Sequence, residues 1–159
     1  MEKVWFWIFI LLVISRILYC IIAQKSKNLV YITAAYAVVG MYLISGIDKL
    51  YNFGGDDTQR LVDKWNKDGY MINNKYQLAQ LLVIAGGFME LFGSCLILSS
   101  VEDITIPLFT KSTAKTLGVY TLVVFTVLAT MMFYIFPKIK VLPSISNINA
   151  VGGLLALLV

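Results

Sequence analysis

Five long apolar stretches dominate the sequence of this chain. They cover residues 4–23, 29–47, 76–99, 117–136 and 145–159. A helix rises about 1.5 Å per residue, so about 20 apolar residues cross a hydrocarbon core of about 30 Å. The first four stretches have about that length, whereas the last has only 15 residues. Together they occupy about three-fifths of the 159 residues, which leaves little of the chain for a soluble domain.

Composition favours the same class of protein. Hydrophobic residues make up 59% of the chain and charged residues 14%, whereas a soluble domain carries about 25% charged residues. We therefore predict an all-α, polytopic transmembrane helix bundle that forms a single domain over residues 1–159. The protein is expected to be a multi-pass integral membrane protein, with the lipid bilayer as its first partner.

Several chemistries are excluded by residue types and patterns that the sequence lacks. The chain has no histidine, which removes His-based zinc and haem ligation, Ser-His-Asp triads and His proton shuttles. The net charge is +4, but no basic run with interleaved aromatic residues occurs, so no nucleic-acid binding is expected. Cys20 and Cys95 lie in apolar stretches, where single thiols are usually buried and inert. We predict neither catalytic residues nor a metal site, and a non-enzymatic role is favoured.

The first apolar stretch, 4–23, has two interpretations. It follows a short basic start at Lys3, as the apolar part of a signal peptide does. However, Arg16 interrupts it and no small-residue cleavage pattern follows. We therefore predict an uncleaved N-terminal transmembrane helix, with a cleaved signal peptide as the alternative.

One long loop, 48–75, separates the second and third stretches. Residues 58–67 predict a short amphipathic helix, with Asp57 capping its start and Gly69 ending it. One face of this helix carries Leu61, Val62 and Trp65. The helix either lies in the membrane interface with Trp65 as an anchor at headgroup depth, or is solvated with the Trp65 ring packed on the protein.

Glu90 is the most costly residue in the apolar stretches. It lies close to the middle of the stretch 76–99, where an ionised carboxylate costs at least a few kcal/mol unless it is compensated. It is therefore expected to face the interior of the bundle. Helical spacing places Glu90 in one stripe with Ala79, Gly86 and Gly93. Small residues let a second helix approach closely, so this stripe predicts a helix-packing seam.

Two basic residues are candidates for an intramembrane polar pair or ligand site with Glu90. Arg16 lies about 18 Å along its helix and Glu90 about 21 Å along its own, so their depths match. Lys49 lies nearer the membrane edge and would have to reach inward. We predict an Arg16–Glu90 pair. The alternatives are a protonated Glu90 bonded to Ser, Thr or Tyr, and a proton or quinone site.

Three segments are similar to a known family. They are Gly46–Phe53, Gly87–Leu98 and Asn149–Ala156, which contain Gly-Ile-Asp-Lys, Met-Glu-Leu-Phe-Gly and Asn-Ala-Val-Gly-Gly. Over about residues 29–159 the chain resembles the DoxX family of small four-helix membrane proteins. The resemblance implies a four-helix core plus one added N-terminal transmembrane helix, an association with redox enzymes, and Lys49 and Glu90 as site residues.

These observations lead to one expected function and two alternatives. The expected function is a non-catalytic structural or accessory membrane subunit of a larger assembly, such as a redox complex or a membrane-containing virion. Its partners would be other membrane or capsid-like subunits, and it needs no cofactor. The first alternative is a redox-associated protein that binds a quinone or lipid between its helices. The second is a proton or solute transporter centred on Glu90.

Overall fold

The chain is all-helical in the part that the structure describes. The computed structural model describes residues 29–102, 104, 106–135 and 141–158, together with residues 11, 14, 15, 18 and 19. The predicted all-α class is confirmed, because these residues form helices joined by turns and one isolated bridge, Ile106 to Phe109. Apart from those five positions, the predicted first span, 4–23, lies outside the described residues.

Five α-helices follow one another in the described ranges. They are α1 (Leu29–Tyr51), α2 (Asp56–Lys67), α3 (Lys75–Val101), α4 (Lys111–Thr130) and α5 (Val141–Ala156), with a π-helical turn, Met131–Ile135, directly after α4. Among the described residues, three segments are long and apolar enough to cross a membrane: Tyr31–Tyr51, Lys75–Val101 and Lys111–Phe133. A shorter apolar helix covers Asn147–Ala156. These helices are compatible with a multi-pass membrane protein.

The helix boundaries differ from the sequence prediction in two loops. α4 begins at Lys111 rather than Leu117, because the Thr110 hydroxyl accepts a hydrogen bond from the backbone N–H of Thr113 at 3.2 Å. The predicted Asp57 cap of α2 is wrong. The N-cap residue is Gly55. Asp57 lies in the first turn of α2, where its negative charge interacts favourably with the positive end of the helix dipole.

α3 is the central helix, antiparallel to both α1 and α4. Along α1 the contacts run from Gly46 against Gly87 to the Val39 carbonyl, which accepts a hydrogen bond from Ser94 at 3.5 Å. Along α4 they run from Phe125 against Gly86 to Gly118 against Gly93. In both pairs the residue numbers fall along one helix as they rise along the other, so each pair is antiparallel.

α5 closes the arrangement into a four-helix bundle. Asn147 donates a hydrogen bond to Thr130 at the end of α4, at 2.8 Å. The Tyr31 hydroxyl of α1 donates to the carbonyl oxygen of Leu157, just after α5, at 3.4 Å. All four helices supply one buried core, which contains Ala35, Val39, Ile97, Val119, Leu122, Leu154 and Leu157. The topology is up-down-up-down, and α2 lies in the long connection between α1 and α3.

Glycines allow α3 to cross both neighbours at very short distances. A Cβ at Gly46 would lie 2.9 Å from the Gly87 carbonyl oxygen, so α1 and α3 are in backbone contact there. A Cβ at Gly118 would lie 2.7 Å from the Gly93 carbonyl oxygen, so α3 and α4 are in backbone contact as well. Such crossings are the way in which membrane helices gain van der Waals packing without a hydrophobic drive.

α2 covers the end of the bundle at which α1 ends and α3 begins. Leu61 and Trp65 are buried with Ala79 of α3, next to Met132 and Phe133 of the π-helical turn. Trp65 is 8% exposed. The structure therefore places Trp65 in the packing of α2 on the bundle, and the position of α2 in a membrane interface stays a prediction.

The glycine crossings predict a contrast between two Gly-to-Ala variants. Gly118→Ala should lower the free energy of unfolding by about 1–3 kcal/mol, because the new methyl group overpacks the α3–α4 crossing. Gly152→Ala in α5 is the matched control, since a Cβ there meets nothing within 4 Å. It should be neutral or stabilising by up to about 1 kcal/mol. Denaturation with SDS in mixed micelles measures both, and equal effects would contradict the crossing.

Candidate functional site

Lys49 and Glu90 form an ion pair inside the bundle. The Lys49 Nζ lies 3.0 Å from Glu90 Oε1 and 2.8 Å from Oε2. The Lys49 side chain is 16% exposed and the Glu90 side chain 3%. The Lys49 ammonium also donates a hydrogen bond to the hydroxyl of Ser45, one turn earlier in α1. The costly carboxylate is thus compensated by charge and by hydrogen bonds.

The antiparallel arrangement of α1 and α3 explains why these two side chains meet. Helical side chains lean toward the N-terminus of their own helix. Lys49 therefore leans back toward Ser45, and Glu90 leans back toward Gly86, which brings the charged ends together. The backbone contact at Gly46 and Gly87 sets the short separation that the pair needs.

Phe125 of α4 packs against the Lys49 end of the ion pair. Its ring centroid lies 5.4 Å from the Lys49 Nζ, a distance at which a cation is attracted to an aromatic face. The ring fits there because Gly86 has no side chain, and a Cβ on Gly86 would lie 3.0 Å from the ring. The Tyr42 ring meets Phe125 edge-on at 6.5 Å, and its hydroxyl is 2.7 Å from that of Thr126.

An apolar cavity of about 370 Å³ adjoins the ion pair. It lies between α3 and α4 and reaches α2 and the π-helical turn. Its walls are mainly aliphatic, aromatic and methionine side chains, and the lining residues are Leu61, Leu82, Val83, Ala85, Gly86, Met89, Phe125, Leu128, Ala129, Met132 and Phe133. Three charged residues, Lys49, Asp57 and Arg60, are also among the described residues that line it.

The residues of the predicted seam contact two different elements. Gly86 and Gly93 lie against Phe125 and Leu122 of α4, respectively. Ala79 lies instead beneath α2, buried with Leu61 and Trp65. The stripe on α3 therefore packs on α4 at Gly86 and Gly93 and on α2 at its N-terminal end, while Glu90 within it reaches Lys49 of α1.

Other residues singled out in the sequence have different outcomes. Arg16 lies outside the described residues, so its pairing with Glu90 stays a prediction, while Lys49 contacts both carboxylate oxygens. Cys20 also lies outside them. Cys95 is exposed rather than buried, which corrects the expectation, because its position on α3 faces away from the other helices. No group of three or more metal-ligating side chains occurs in the described part of the chain.

The sequence interpretation missed Ser45, Phe125 and Arg60 as parts of this site. Ser45 could have been found, because it lies one turn from Lys49 on the same helix face. Phe125 and Arg60 carry no such signal. Each reaches the site only because α4 and α2 pack next to α3, and no sequence spacing encodes that packing.

Comparisons with known proteins identify no relative. No protein-family model matches the chain, and no similar curated protein or solved structure is found. The resemblance to the DoxX family therefore stays a prediction that rests on the three short segments quoted above.

The ion pair predicts a non-additive double-mutant cycle. Lys49→Met or Glu90→Gln alone should lower the free energy of unfolding by about 3–5 kcal/mol, because each leaves a buried group without its partner. The double variant should recover most of that loss. Unfolding in mixed micelles measures all four proteins.

The Asp57–Arg60 pair is the matched control for that cycle, because it is exposed. Its charged atoms are 3.8 Å apart, and the side chains of Asp57 and Arg60 are 37% and 73% exposed. Its variants Asp57→Asn and Arg60→Gln should each change stability by less than about 1 kcal/mol. Additive effects of Lys49→Met and Glu90→Gln would show that the two residues are not coupled in the folded protein.

Proposed function

We propose that this chain is a multi-pass membrane protein that binds a lipophilic molecule, a quinone or a lipid, in the cavity between α3 and α4. The observation that carries the proposal is the position of the cavity. An apolar space of about 370 Å³ opens between two helices of a membrane-type bundle and adjoins its buried ion pair. Sites for small molecules typically have about 300–1,000 Å³ and occur between helices of bundles.

The composition of the wall supports a hydrocarbon ligand. Along α3 the cavity extends from Leu82 to Met89, a helix rise of about 10 Å. Met89 of α3 and Met132 of the π-helical turn also line it. Unbranched methionine side chains adapt to irregular apolar shapes. Such a wall suits an acyl or isoprenoid chain, which needs contact area rather than hydrogen bonds.

The rim of the cavity supports entry from the bilayer. Leu82 of α3 is 37% exposed and Leu128 of α4 is 49% exposed. Both belong to segments that are apolar enough to span a membrane. A lipophile dissolved in the hydrocarbon layer could therefore enter between these helices without crossing water, which is the least costly route for an apolar molecule.

The other two functions expected from the sequence stay predictions. An accessory subunit of a larger assembly predicts partners that copurify in stoichiometric amounts from the native membrane. A transporter centred on Glu90 predicts transport in liposomes that is lost in Glu90→Gln. Ligand binding is favoured because the cavity offers a specific site for it.

Filling the cavity tests the proposal. Full-length protein is purified in mild detergent and extracted with organic solvent, and the extract is analysed by mass spectrometry. A lipophile should copurify with the unmodified protein. Ala129→Phe places a ring in the cavity, because Ala129 lines it. The variant should lower the copurifying amount by about tenfold or more, since a loss of about 1.4 kcal/mol of binding free energy lowers the affinity tenfold.

Ala37→Phe is the control, because Ala37 is exposed on α1 and is not a lining residue. It should retain the lipophile at the level of the unmodified protein. Equal retention by Ala129→Phe and Ala37→Phe would contradict a site between α3 and α4, whatever molecule is found.

A further inference from the structure

We infer that the cavity selects an uncharged lipophile and rejects anionic ones. This inference rests on the proposed ligand site and specifies the chemical class that the site takes. It follows from the charges at the two ends of the cavity. Lys49 borders the cavity next to the Lys49–Glu90 pair, and we call this part the inner end. Asp57 and Arg60 border it from α2, and we call that part the outer end.

At the inner end the positive charge of Lys49 is already neutralised. An ammonium group has three N–H donors. The described partners of Lys49 are three oxygen atoms: the hydroxyl of Ser45 and both carboxylate oxygens of Glu90. An anionic headgroup would have to compete with a carboxylate that is already held at 2.8 Å. The inner end therefore offers an anion neither net charge nor a spare donor.

At the outer end the positive charge of Arg60 has a carboxylate beside it. The Arg60 guanidinium lies 3.8 Å from the Asp57 carboxylate. Both residues also border an adjoining polar depression of about 520 Å³, which is lined by Asp48 and Asp56 as well. Within the cavity itself, the charges that α2 contributes are therefore one guanidinium and one carboxylate. The outer end therefore offers a negative headgroup no net positive charge.

The two ends together determine the ligand class. A charged group that leaves water needs a partner of opposite charge, or it carries its full desolvation cost. Neither end supplies such a partner for an anion. A hydroxyl or carbonyl headgroup carries no net charge and has a much smaller desolvation cost. The neutral walls therefore favour an uncharged lipophile over a fatty-acid anion or an anionic phospholipid.

Three photoreactive probes with the same hexadecyl chain test this inference. They end in a hydroxyl, a sulfonate or a trimethylammonium group, so they share one chain and differ in the headgroup and its charge. The full chain is placed in nanodiscs of zwitterionic lipid, each probe is cross-linked, and labelled peptides are mapped by mass spectrometry. The hydroxyl probe should label lining residues of α3 and α4 saturably. The sulfonate probe should label them at less than about one-tenth of that level.

Two variants should alter this selectivity through different ends of the cavity. Asp57→Asn leaves Arg60 without its carboxylate and should raise the sulfonate-to-hydroxyl labelling ratio several-fold. Glu90→Gln leaves the charge of Lys49 uncompensated and should raise that ratio about tenfold or more. Lys49→Gln combined with Glu90→Gln should return it to the original value. Asp63→Asn is the control, since Asp63 is exposed on α2 and is not a lining residue.

The outcomes separate this inference from the proposed function. If no probe labels α3 or α4 saturably, the ligand site itself is wrong. If the hydroxyl probe labels the site but the sulfonate or trimethylammonium probe labels it as well or better, the site stands and the charge selectivity is wrong. If Glu90→Gln fails to fold, Asp57→Asn still tests the charge selectivity. Asp57 is at the surface of α2, so its substitution should leave the fold intact.

Discussion

The ion pair between Lys49 and Glu90 is the interaction on which the rest of the bundle depends. A carboxylate near the middle of a membrane helix is tolerated only where another group compensates it. Lys49 provides that compensation from the neighbouring helix, at 2.8–3.0 Å. The pair therefore fixes which face of α3 points inward and joins α1 to α3. Its geometry in turn requires the backbone contact at Gly46 and Gly87.

The same constraint leads to the cavity. The face of α3 that carries Glu90 also carries Gly86, whose missing side chain admits the Phe125 ring beside Lys49. Between that ring and the base of α2, the α3 and α4 side chains leave an apolar space. The charges at both ends of this space are already paired. A site that is apolar along its walls and neutral at its ends is suited to a lipophile that carries no charge.

Much of the fold and part of the site could be predicted from the sequence. Apolar stretches of the right length indicated α1, α3 and α4, and the cost of a buried carboxylate identified Glu90. The choice of Arg16 over Lys49 as its partner rested on depth along separate helices. That estimate treated Lys49 as an edge residue, whereas α1 continues to Tyr51 and directs Lys49 back into the bundle.

The sequence by itself determined the protein class, the approximate spans and the one acidic residue that the bundle has to compensate, because length and hydropathy are local properties. The tertiary structure alone decided that Lys49 reaches Glu90, that Phe125 covers the pair, and that Asp57 and Arg60 border the cavity. Each of these depends on which helices cross and at what distance. Close crossings depend on glycines in different helices, such as Gly93 and Gly118, and their pairing exists only once the helices are packed.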